Sequence, residues 1–281
     1  MSPWLNRVGG DGGHDNLTAT GRPPGCFAER KALPELLSII VPVYNERPTI
    51  ESVVVRCGRV HLPVDREILV VDDGSTDGTR DFLAEHLVHI DGVRVVLHGS
   101  NAGKGSAVRT GARFAQGRWI VVQDADLEYD PEDIPRLLEP LLSGTADVVY
   151  GSRFLGSSRW ARPWQRLANV GLSRLTSLLY GGSISDMETC YKLIPRDLFM
   201  TLDLVAERFD FEPEVTAKLL RSGARVAEVP ISYTARTRAD GKKIGWRDGV
   251  DAVRALWRLR SWSPPAHVAA TELISPRQQT T

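Results

Sequence analysis

The chain has 281 residues, of which 42% are hydrophobic and 25% are charged, and this is enough to build one large domain around a buried core. Its 35 basic residues balance its 35 acidic residues, so the net charge gives no reason to expect a nucleic-acid partner. The three cysteines form no CxxC pair, which argues against a disulfide framework or a structural zinc site and fits a reducing compartment.

The two ends of the chain lack the hydrophobic periodicity of helices and strands. Residues 1–33 are rich in glycine and have no apolar stretch like that of a signal peptide, so we predict a disordered leader there. Residues 263–281 are predicted to be a disordered tail. No run approaches the ~18 consecutive apolar residues that a membrane-spanning helix needs. We therefore expect a domain over residues 34–245, followed by an amphipathic helix over residues 246–262.

Short apolar runs alternate with amphipathic segments through most of the domain. A helix is predicted to begin at Asp130, which precedes a proline at the first helical position. Strand–helix alternation predicts an α/β layered domain with a mostly parallel sheet, which binds ligands at the carboxyl ends of its strands. The predicted strands are Leu36–Val43, Glu67–Val71, Val93–Leu97, Trp119–Gln123 and Asp147–Tyr150.

Acidic residues cluster where two of these predicted strands end. Asp72 and Asp73 follow one strand, and Asp124 and Asp126 follow another, with Glu128 close behind. Acids two residues apart on an extended segment point the same way, so Asp124 and Asp126 can converge on one cation. Carboxylate oxygens suit Mg²⁺ or Mn²⁺, which also bind the oxygens of a diphosphate. An ordinary acidic turn is the alternative, but the pairing of two strand-end clusters favours a metal site.

The glycine-rich segment Asn101–Ser106 does not match a phosphate-binding motif. Its spacing fits neither the Walker pattern nor the GxGxxG dinucleotide fingerprint. We predict a glycine turn leading into a helix over Ser106–Phe114, packed near the substrate. The histidines show no metal-ligand spacing and are expected at the surface; they include His61, His86, His89 and His98.

Three motifs, in this order and spacing, resemble those of glycosyltransferase family 2, which has the GT-A fold. They are Ser38–Glu46, Asp72–Asp77 and Asp124–Asp126, and the resemblance extends over roughly Leu36 to Leu259. Within the family, the chain is most similar to dolichyl-phosphate mannose synthases and polyprenyl-phosphate glucosyltransferases. That narrower similarity is carried by Gly151–Phe154, Asp186–Lys192, Val229–Tyr233, Arg236 and Lys243–Gly245.

The resemblance implies a three-layer GT-A fold and an inverting hexose transfer. The implied donor is a nucleotide sugar such as GDP-mannose or UDP-glucose, and the implied acceptor is a polyprenyl phosphate. Asp126, Arg153 and Asp186 are implied as catalytic residues, Asp186 being the candidate base for a hydroxyl acceptor. The implied metal ligands are Asp124, Asp126 and Glu128. The implied substrate-binding residues are Pro42, Tyr44, Glu46, Asp72, Asp73, Asp124, Ala125, Arg153, Arg236 and Lys243.

Two alternatives remain open for the function. One is a family-2 transferase that acts on a soluble or glycan hydroxyl. The other is a catalytically dead GT-A module that binds nucleotide or supports a membrane partner, although the intact Asp124 and Asp126 pair argues against it.

Two segments have the pattern of membrane-surface helices. Trp246–Trp262 carries Trp246, Val250, Val253 and Trp257 at helical spacing, flanked by Ala252, Leu256 and Leu259 and accompanied by arginines. Trp164–Leu179 carries a second apolar stripe. We expect a protein on the cytoplasmic face of a membrane, attached peripherally or delivered by a separate anchoring protein. The alternative is that both helices bury these stripes against their own domain.

Overall fold

A sheet of seven strands lies at the centre of the structure, which is a computed structural model. The structure describes residues 35–160, 163–236 and 246–264, apart from the side chains of residues 246–248. The predictions for residues 1–33, for residues 265–281 and for Lys243 lie outside the described residues. The strands are β1 (Leu36–Val43), β2 (Asp65–Asp72), β3 (Val93–Leu97), β4 (Trp119–Val122), β5 (Val148–Ser152), β6 (Ser158–Arg159), β7 (Lys192–Pro195), β8 (Val226–Pro230) and β9 (Tyr233–Thr234).

Helices cover this sheet. They are α1 (Ile50–Arg59), α2 (Thr79–His86), α3 (Lys104–Phe114), α4 (Ile134–Leu142), α5 (Pro163–Tyr180), α6 (Arg196–Thr201), α7 (Phe211–Arg221) and α8 (Trp246–Arg258), with short 3-10 helices at Leu87–His89, Pro131–Asp133 and Leu259–Ser261. Strand β4 shows why the layers form, since all its residues are buried and apolar. Burying one large apolar side chain contributes about 1.5–3 kcal/mol, so such a strand is stable only when both faces are covered.

The strand order is β3-β2-β1-β4-β7-β5-β8, and only β7 runs antiparallel to its neighbours in this sheet of the described chain. The expected mostly parallel α/β sheet is therefore confirmed. Val43 pairs with Asp72, and β4 runs parallel to β1 on its other side. The carboxyl ends of β1, β2 and β4 consequently meet at one edge. The short strands β6 and β9 form a separate pair.

Two helix starts differ in detail from the sequence prediction. Asp130 does cap its segment, because its side chain accepts a hydrogen bond from the backbone N–H of Glu132, but the first turn is a 3-10 helix and α4 begins at Ile134. Helix α3 begins at Lys104 rather than Ser106. The reason is Gly103, whose φ of 95° turns the chain directly into the helix.

Helix α8 has apolar residues on two sides. Ala252, Leu256 and Leu259 are buried, whereas Val253 and Trp257 are exposed. One apolar side of this helix therefore packs on the domain, as the second sequence alternative expected, and another apolar side faces outward. In the part of the chain that the structure describes, no helix is long and apolar enough to cross a membrane.

Candidate active site

A cavity of about 630 Å³ opens at the edge where β1, β2 and β4 end. The residues that line its two sides differ in polarity. Acidic residues that follow β1 and β4 line one side, and the aromatic side chains of Trp160 and Trp164 line another. Such a cavity can hold a ligand with both a charged and an apolar part.

We call the carboxylates that line the cavity after β1 and β4 the acidic cluster: Glu46, Asp124, Asp126 and Glu128. The guanidinium of Arg236 lies 3.0 Å from Glu46 Oε2 and 3.0 Å from Asp126 Oδ2. The backbone N–H of Arg236 donates to Glu128 Oε1 at 2.7 Å. One arginine from the segment after β9 thus holds three carboxylates that come from two distant parts of the chain.

The acidic cluster carries concentrated negative charge. Burial and the charges of Asp124 and Glu128 raise the pKa of Asp126 to about 7. The backbone beside the cluster is also strained. Leu127 has a φ of 61° and Asn45 has a φ of 53°, which non-glycine residues adopt at a cost of roughly 1–3 kcal/mol. Strain and repulsion together mark this region as built for a ligand rather than for stability.

Lys104 links the acidic cluster to Glu212, which also lines the cavity. Lys104 Nζ lies 2.8 Å from Asp124 Oδ1 and 3.4 Å from Glu212 Oε1. Burial alone would lower the pKa of Lys104, but the charges of Asp124 and Glu212, with Cys190 nearby, hold that pKa well above its usual value. Lys104 is therefore a fixed positive charge beside the carboxylates.

Asp73 fixes the loop that carries Lys104. Its carboxylate accepts hydrogen bonds from the backbone N–H groups of Ala102 at 2.9 Å and Gly103 at 2.7 Å, and it lies 2.8 Å from His98 Nδ1. The glycines of this loop are required by close packing. A Cβ on Gly103 would come 2.2 Å from the carbonyl oxygen of Glu207, and one on Gly105 would come 2.4 Å from that of Ala206.

Arg153 is buried but reaches the cavity, and Asp186 holds it. Two guanidinium nitrogens lie 2.7 Å from the two carboxylate oxygens of Asp186, and the backbone N–H of Arg153 donates to the same carboxylate. The guanidinium also lies 5.1 Å from the ring centres of Trp160 and Tyr233. This bidentate pair and the two rings fix the orientation of Arg153.

Helix α5 supplies the apolar side of the cavity. Trp164, Ala168 and Leu172 line it, and they recur on one face of the helix. The same helix exposes Leu167 and Leu178, and Trp164 is itself 52% exposed. The apolar lining is therefore continuous with an exposed apolar stripe.

The acidic cluster fits a divalent ion whose remaining ligands come from a substrate. Among the described residues, no three acidic, histidine or cysteine side chains form a ready-made metal site. Asp124 and Asp126 still offer hard oxygens beside a cavity, and Mg²⁺ is commonly held by one or two carboxylates together with phosphate oxygens. Glu128 fits this role less well, because its two oxygens accept hydrogen bonds from the Tyr233 hydroxyl and the Arg236 backbone.

Comparison with known families identifies the chain. The model of the family described as glycosyl transferase family 2 matches residues 38–203. The chain belongs to glycosyl transferase family 2. It is 34% identical to a polyprenol monophosphomannose synthase of Mycolicibacterium smegmatis, over 80% of this chain and 85% of that protein. It is 32% identical to an undecaprenyl-phosphate mannosyltransferase of Micrococcus luteus, over 73% of this chain and 86% of that protein.

Solved structures of other glycosyltransferases share the fold. Glucosyl-3-phosphoglycerate synthase from Mycobacterium tuberculosis, solved with Mn²⁺, uridine diphosphate and glucosyl-3-phosphoglycerate, has a TM-score of 0.61 at 22% identity, covering 83% of this chain and 82% of that one. Mannosyl-3-phosphoglycerate synthase from Rubrobacter xylanophilus has a TM-score of 0.63 at 21% identity, covering 79% of this chain and 73% of that one. The expected GT-A fold is confirmed.

The structure brings most of the expected site residues of this family-2 enzyme to one cavity. Those that line it are Pro42, Tyr44, Glu46, Asp73, Asp124, Ala125, Asp126, Glu128, Arg153 and Arg236. Asp72 does not, since it has no exposed surface and pairs with Arg80 at 2.8 Å. The reading of Asp186 as a base is not supported either, because it is fully buried and Arg153 binds both of its oxygens.

Sequence reasoning missed four charged residues of the cavity, and it misplaced a histidine. Lys104, Glu188, Arg208 and Glu212 all line the cavity. Lys104 was visible in the glycine-rich segment, but its pairing with Asp124 and Glu212 depends on packing between distant elements. His98 is not a surface residue, since it is largely buried and bonded to Asp73 and Thr110.

Proposed function

We propose that this glycosyltransferase moves a hexose from a nucleotide sugar to the phosphate of a polyprenyl phosphate, with inversion at the anomeric carbon. The observation that carries the proposal is the cavity itself, which joins an acidic cluster and two arginines to an apolar wall. The acidic cluster suits a diphosphate bound through a metal ion, the arginines suit the phosphate of the acceptor, and the apolar wall suits a prenyl chain. The names of the relatives from Mycolicibacterium smegmatis and Micrococcus luteus support the same acceptor class.

The donor would bind along the carboxyl ends of β1, β2 and β4. Pro42, Tyr44, Glu46 and Asp73 line the side suited to the base and ribose. Asp124 and Asp126 would hold Mg²⁺ or Mn²⁺, which would offset the negative charge of the departing nucleoside diphosphate. A transfer assay distinguishes GDP-mannose, UDP-glucose or another nucleotide sugar as the donor.

The basic side chains would do the remaining electrostatic work. Arg153 is held rigidly by Asp186, so it can bind a phosphate oxygen without reorganising during the reaction. Arg236 would exchange one of its carboxylate contacts for a phosphate, and Lys243 is proposed as a further phosphate ligand. A phosphate acceptor is already ionised near neutral pH and needs little help from a general base. Asp186 is accordingly a positioning residue.

The protein would act at a membrane surface. The exposed apolar residues of α5 and α8 form what we call the helical flank: Trp164, Leu167, Leu178, Val250, Val253 and Trp257. Arg254 and Arg258 are exposed on the same helix as Trp257, which suits anionic headgroups. We propose peripheral attachment to the cytoplasmic face. A separate anchoring protein becomes necessary if the flank does not bind lipid.

A transfer assay tests this function. The purified chain is incubated with radiolabelled GDP-mannose or UDP-glucose, with Mg²⁺ or Mn²⁺, and with or without polyprenyl phosphate in detergent. The proposal expects label in the organic phase only when polyprenyl phosphate is present. Label transferred to a soluble hydroxyl acceptor instead would favour the first alternative, and turnover of no donor would favour the nucleotide-binding module.

A further inference from the structure

Two carboxylate oxygens in the cavity accept no hydrogen bond from any described residue. They are Oε1 of Glu188, in the loop before β7, and Oε1 of Glu212, in the first turn of α7. Both residues line the cavity, and both of these atoms are buried. The ammonium of Lys104, 3.4 Å away, partly compensates Glu212 Oε1, whereas Glu188 Oε1 has neither a hydrogen bond nor a salt bridge with a described residue and keeps its full desolvation penalty. A ligand that supplies donors would remove this penalty on binding.

The two acids differ in how their charge is balanced. Glu212 lies between two ammonium groups, with Lys104 Nζ at 3.4 Å from one oxygen and Lys192 Nζ bonded to the other. Glu188 forms no salt bridge with a described residue. Burial and the nearby charge of Glu212 raise its pKa to about 7. Glu188 is therefore not held as part of a structural ion pair.

The position of these acids relative to the acidic cluster narrows the choice of ligand. The single ammonium of Lys104 contacts both Asp124 and Glu212. Glu212 therefore lies directly beside the carboxylates proposed to hold the metal ion that binds the diphosphate. In a nucleotide sugar, the group bonded to the diphosphate is the sugar.

We infer that Glu188 recognises the donor sugar, its carboxyl group accepting hydrogen bonds from hydroxyl groups of the transferred hexose, with Glu212 as a second acceptor. This inference rests on the proposed function. The chemistry selects the sugar over the other parts of the substrates. A hexose carries several O–H donors, whereas a diphosphate carries none and is repelled by carboxylates, and a prenyl chain carries none either.

Binding measurements on the full chain test this role separately from catalysis. Calorimetry with Mn²⁺ would compare GDP-mannose with GDP, and UDP-glucose with UDP, for the wild type, Glu188→Ala and Glu188→Gln. Glu139→Gln, an exposed acid on α4, is the matched control. For the sugar nucleotide that the wild type binds, Glu188→Ala should weaken affinity on the order of ten- to a hundredfold. Affinity for the nucleoside diphosphate should stay within about twofold, and Glu188→Gln should lose less because it keeps an acceptor oxygen.

The possible outcomes distinguish a failure of the inference about Glu188 from a failure of the proposed function. Unchanged binding of the sugar nucleotide by Glu188→Ala would overturn the inference. Equal weakening of the sugar nucleotide and the nucleoside diphosphate would also overturn it, since Glu188 would then act on the diphosphate or on the fold. A wild-type chain that binds neither the sugar nucleotides nor the nucleoside diphosphates would contradict the proposed function itself. Deoxy analogues of the bound donor sharpen the result, because the hydroxyl that Glu188 accepts from is the one whose loss weakens the wild type but not Glu188→Ala.

Discussion

The acidic cluster lines the cavity and the helical flank reaches it through Trp164, but the two regions are built on opposite principles. Asp124 and Asp126 follow a fully buried strand, so the sheet fixes where they lie. Trp164 and Trp257 stand on helices whose other faces pack on the domain, and they are 52% and 64% exposed. The first region concentrates repelling charge inside the protein, and the second leaves apolar surface outside it.

The difference shows where this protein gives up stability for function. Natural proteins place strain and unbalanced charge at sites that a ligand completes, and they expose apolar patches where a partner covers them. The acidic cluster fits the first description and the helical flank fits the second. Changes in the acidic cluster should therefore alter chemistry on every acceptor, and changes in the helical flank should alter access to a lipid surface.

The largest effect is expected at the acidic cluster. Asp126→Ala should reduce transfer by about 10²–10³-fold or more, because the site loses a ligand of the divalent ion that offsets the charge of the diphosphate. Excess EDTA should have the same effect on the wild type. The variant should melt at or above the wild-type temperature, since it removes a carboxylate repelled by Asp124 and Glu128. Glu139→Ala serves as the control. Full activity of Asp126→Ala would contradict a mechanism that depends on a metal ion held by Asp126.

A smaller loss is expected from the buried pair of Arg153 and Asp186. Arg153→Met should lower transfer by roughly ten- to a hundredfold and should also destabilise the fold by about 3–5 kcal/mol, because it leaves Asp186 buried and unpaired. The double variant Arg153→Met, Asp186→Asn should recover much of the stability without recovering activity. Recovery of both in the double variant would show that Arg153 has only a structural role. Chemical denaturation and initial rates measure the two effects.

The helical flank should respond in membrane binding rather than in folding. Val253→Glu with Trp257→Glu should reduce co-sedimentation with anionic liposomes by about tenfold, because two exposed apolar groups no longer bury in lipid. Val88→Glu, at an exposed apolar residue between α2 and β3, is the matched control. Leu256→Glu should instead destabilise the fold, since Leu256 is fully buried. Equal sedimentation of the double variant and the wild type would exclude α8 from lipid binding.

The smallest effect is a pH dependence of stability that comes from Glu188. Its folded pKa of about 7 lies above the ordinary value of 4.5, so the folded state binds this proton more tightly and loses stability as pH rises from about 4.5 through 7. Glu188→Gln has no such proton. Relative to the wild type it should gain about 1–2 kcal/mol of unfolding free energy between pH 5 and pH 8. Urea unfolding at both pH values checks this, and a pH-independent difference would show that Glu188 titrates normally.

The strands and the acidic residues were predictable from the sequence because each depends on local pattern. Strand β1 and strand β3 have the predicted bounds. The largely apolar run of β1 is buried, as a strand covered by two layers requires, whereas β3 lies at the sheet edge and is mostly half-buried. Asp124 and Asp126 were predicted for the same reason, as they stand where a buried strand ends. The neighbours of Lys104 were not predictable, because Glu212 lies on a distant helix that only the folded chain brings near.

The helices of the flank show a second limit of sequence reasoning. Helix α8 carries apolar residues on two sides, and periodicity alone does not tell which stripe packs inward. The structure buries Ala252 and Leu256 and exposes Val253 and Trp257. Asp186 shows the same limit for a site residue, since its motif marks a functional segment but only the fold shows that it binds Arg153.

The measurement that tests the account most directly compares two acceptors of different length. Rates of transfer to a long polyprenyl phosphate in vesicles and to a short, water-soluble prenyl phosphate would be determined for the wild type, for Asp126→Ala and for Leu167→Glu with Leu178→Glu, two exposed residues of the flank that do not line the cavity. The account predicts that Asp126→Ala loses both activities, whereas the flank variant loses transfer to the vesicle-bound acceptor and keeps most of its activity on the soluble one. Equal losses on both acceptors in the flank variant would contradict the division of the cavity into a charged chemical end and a lipid-facing end.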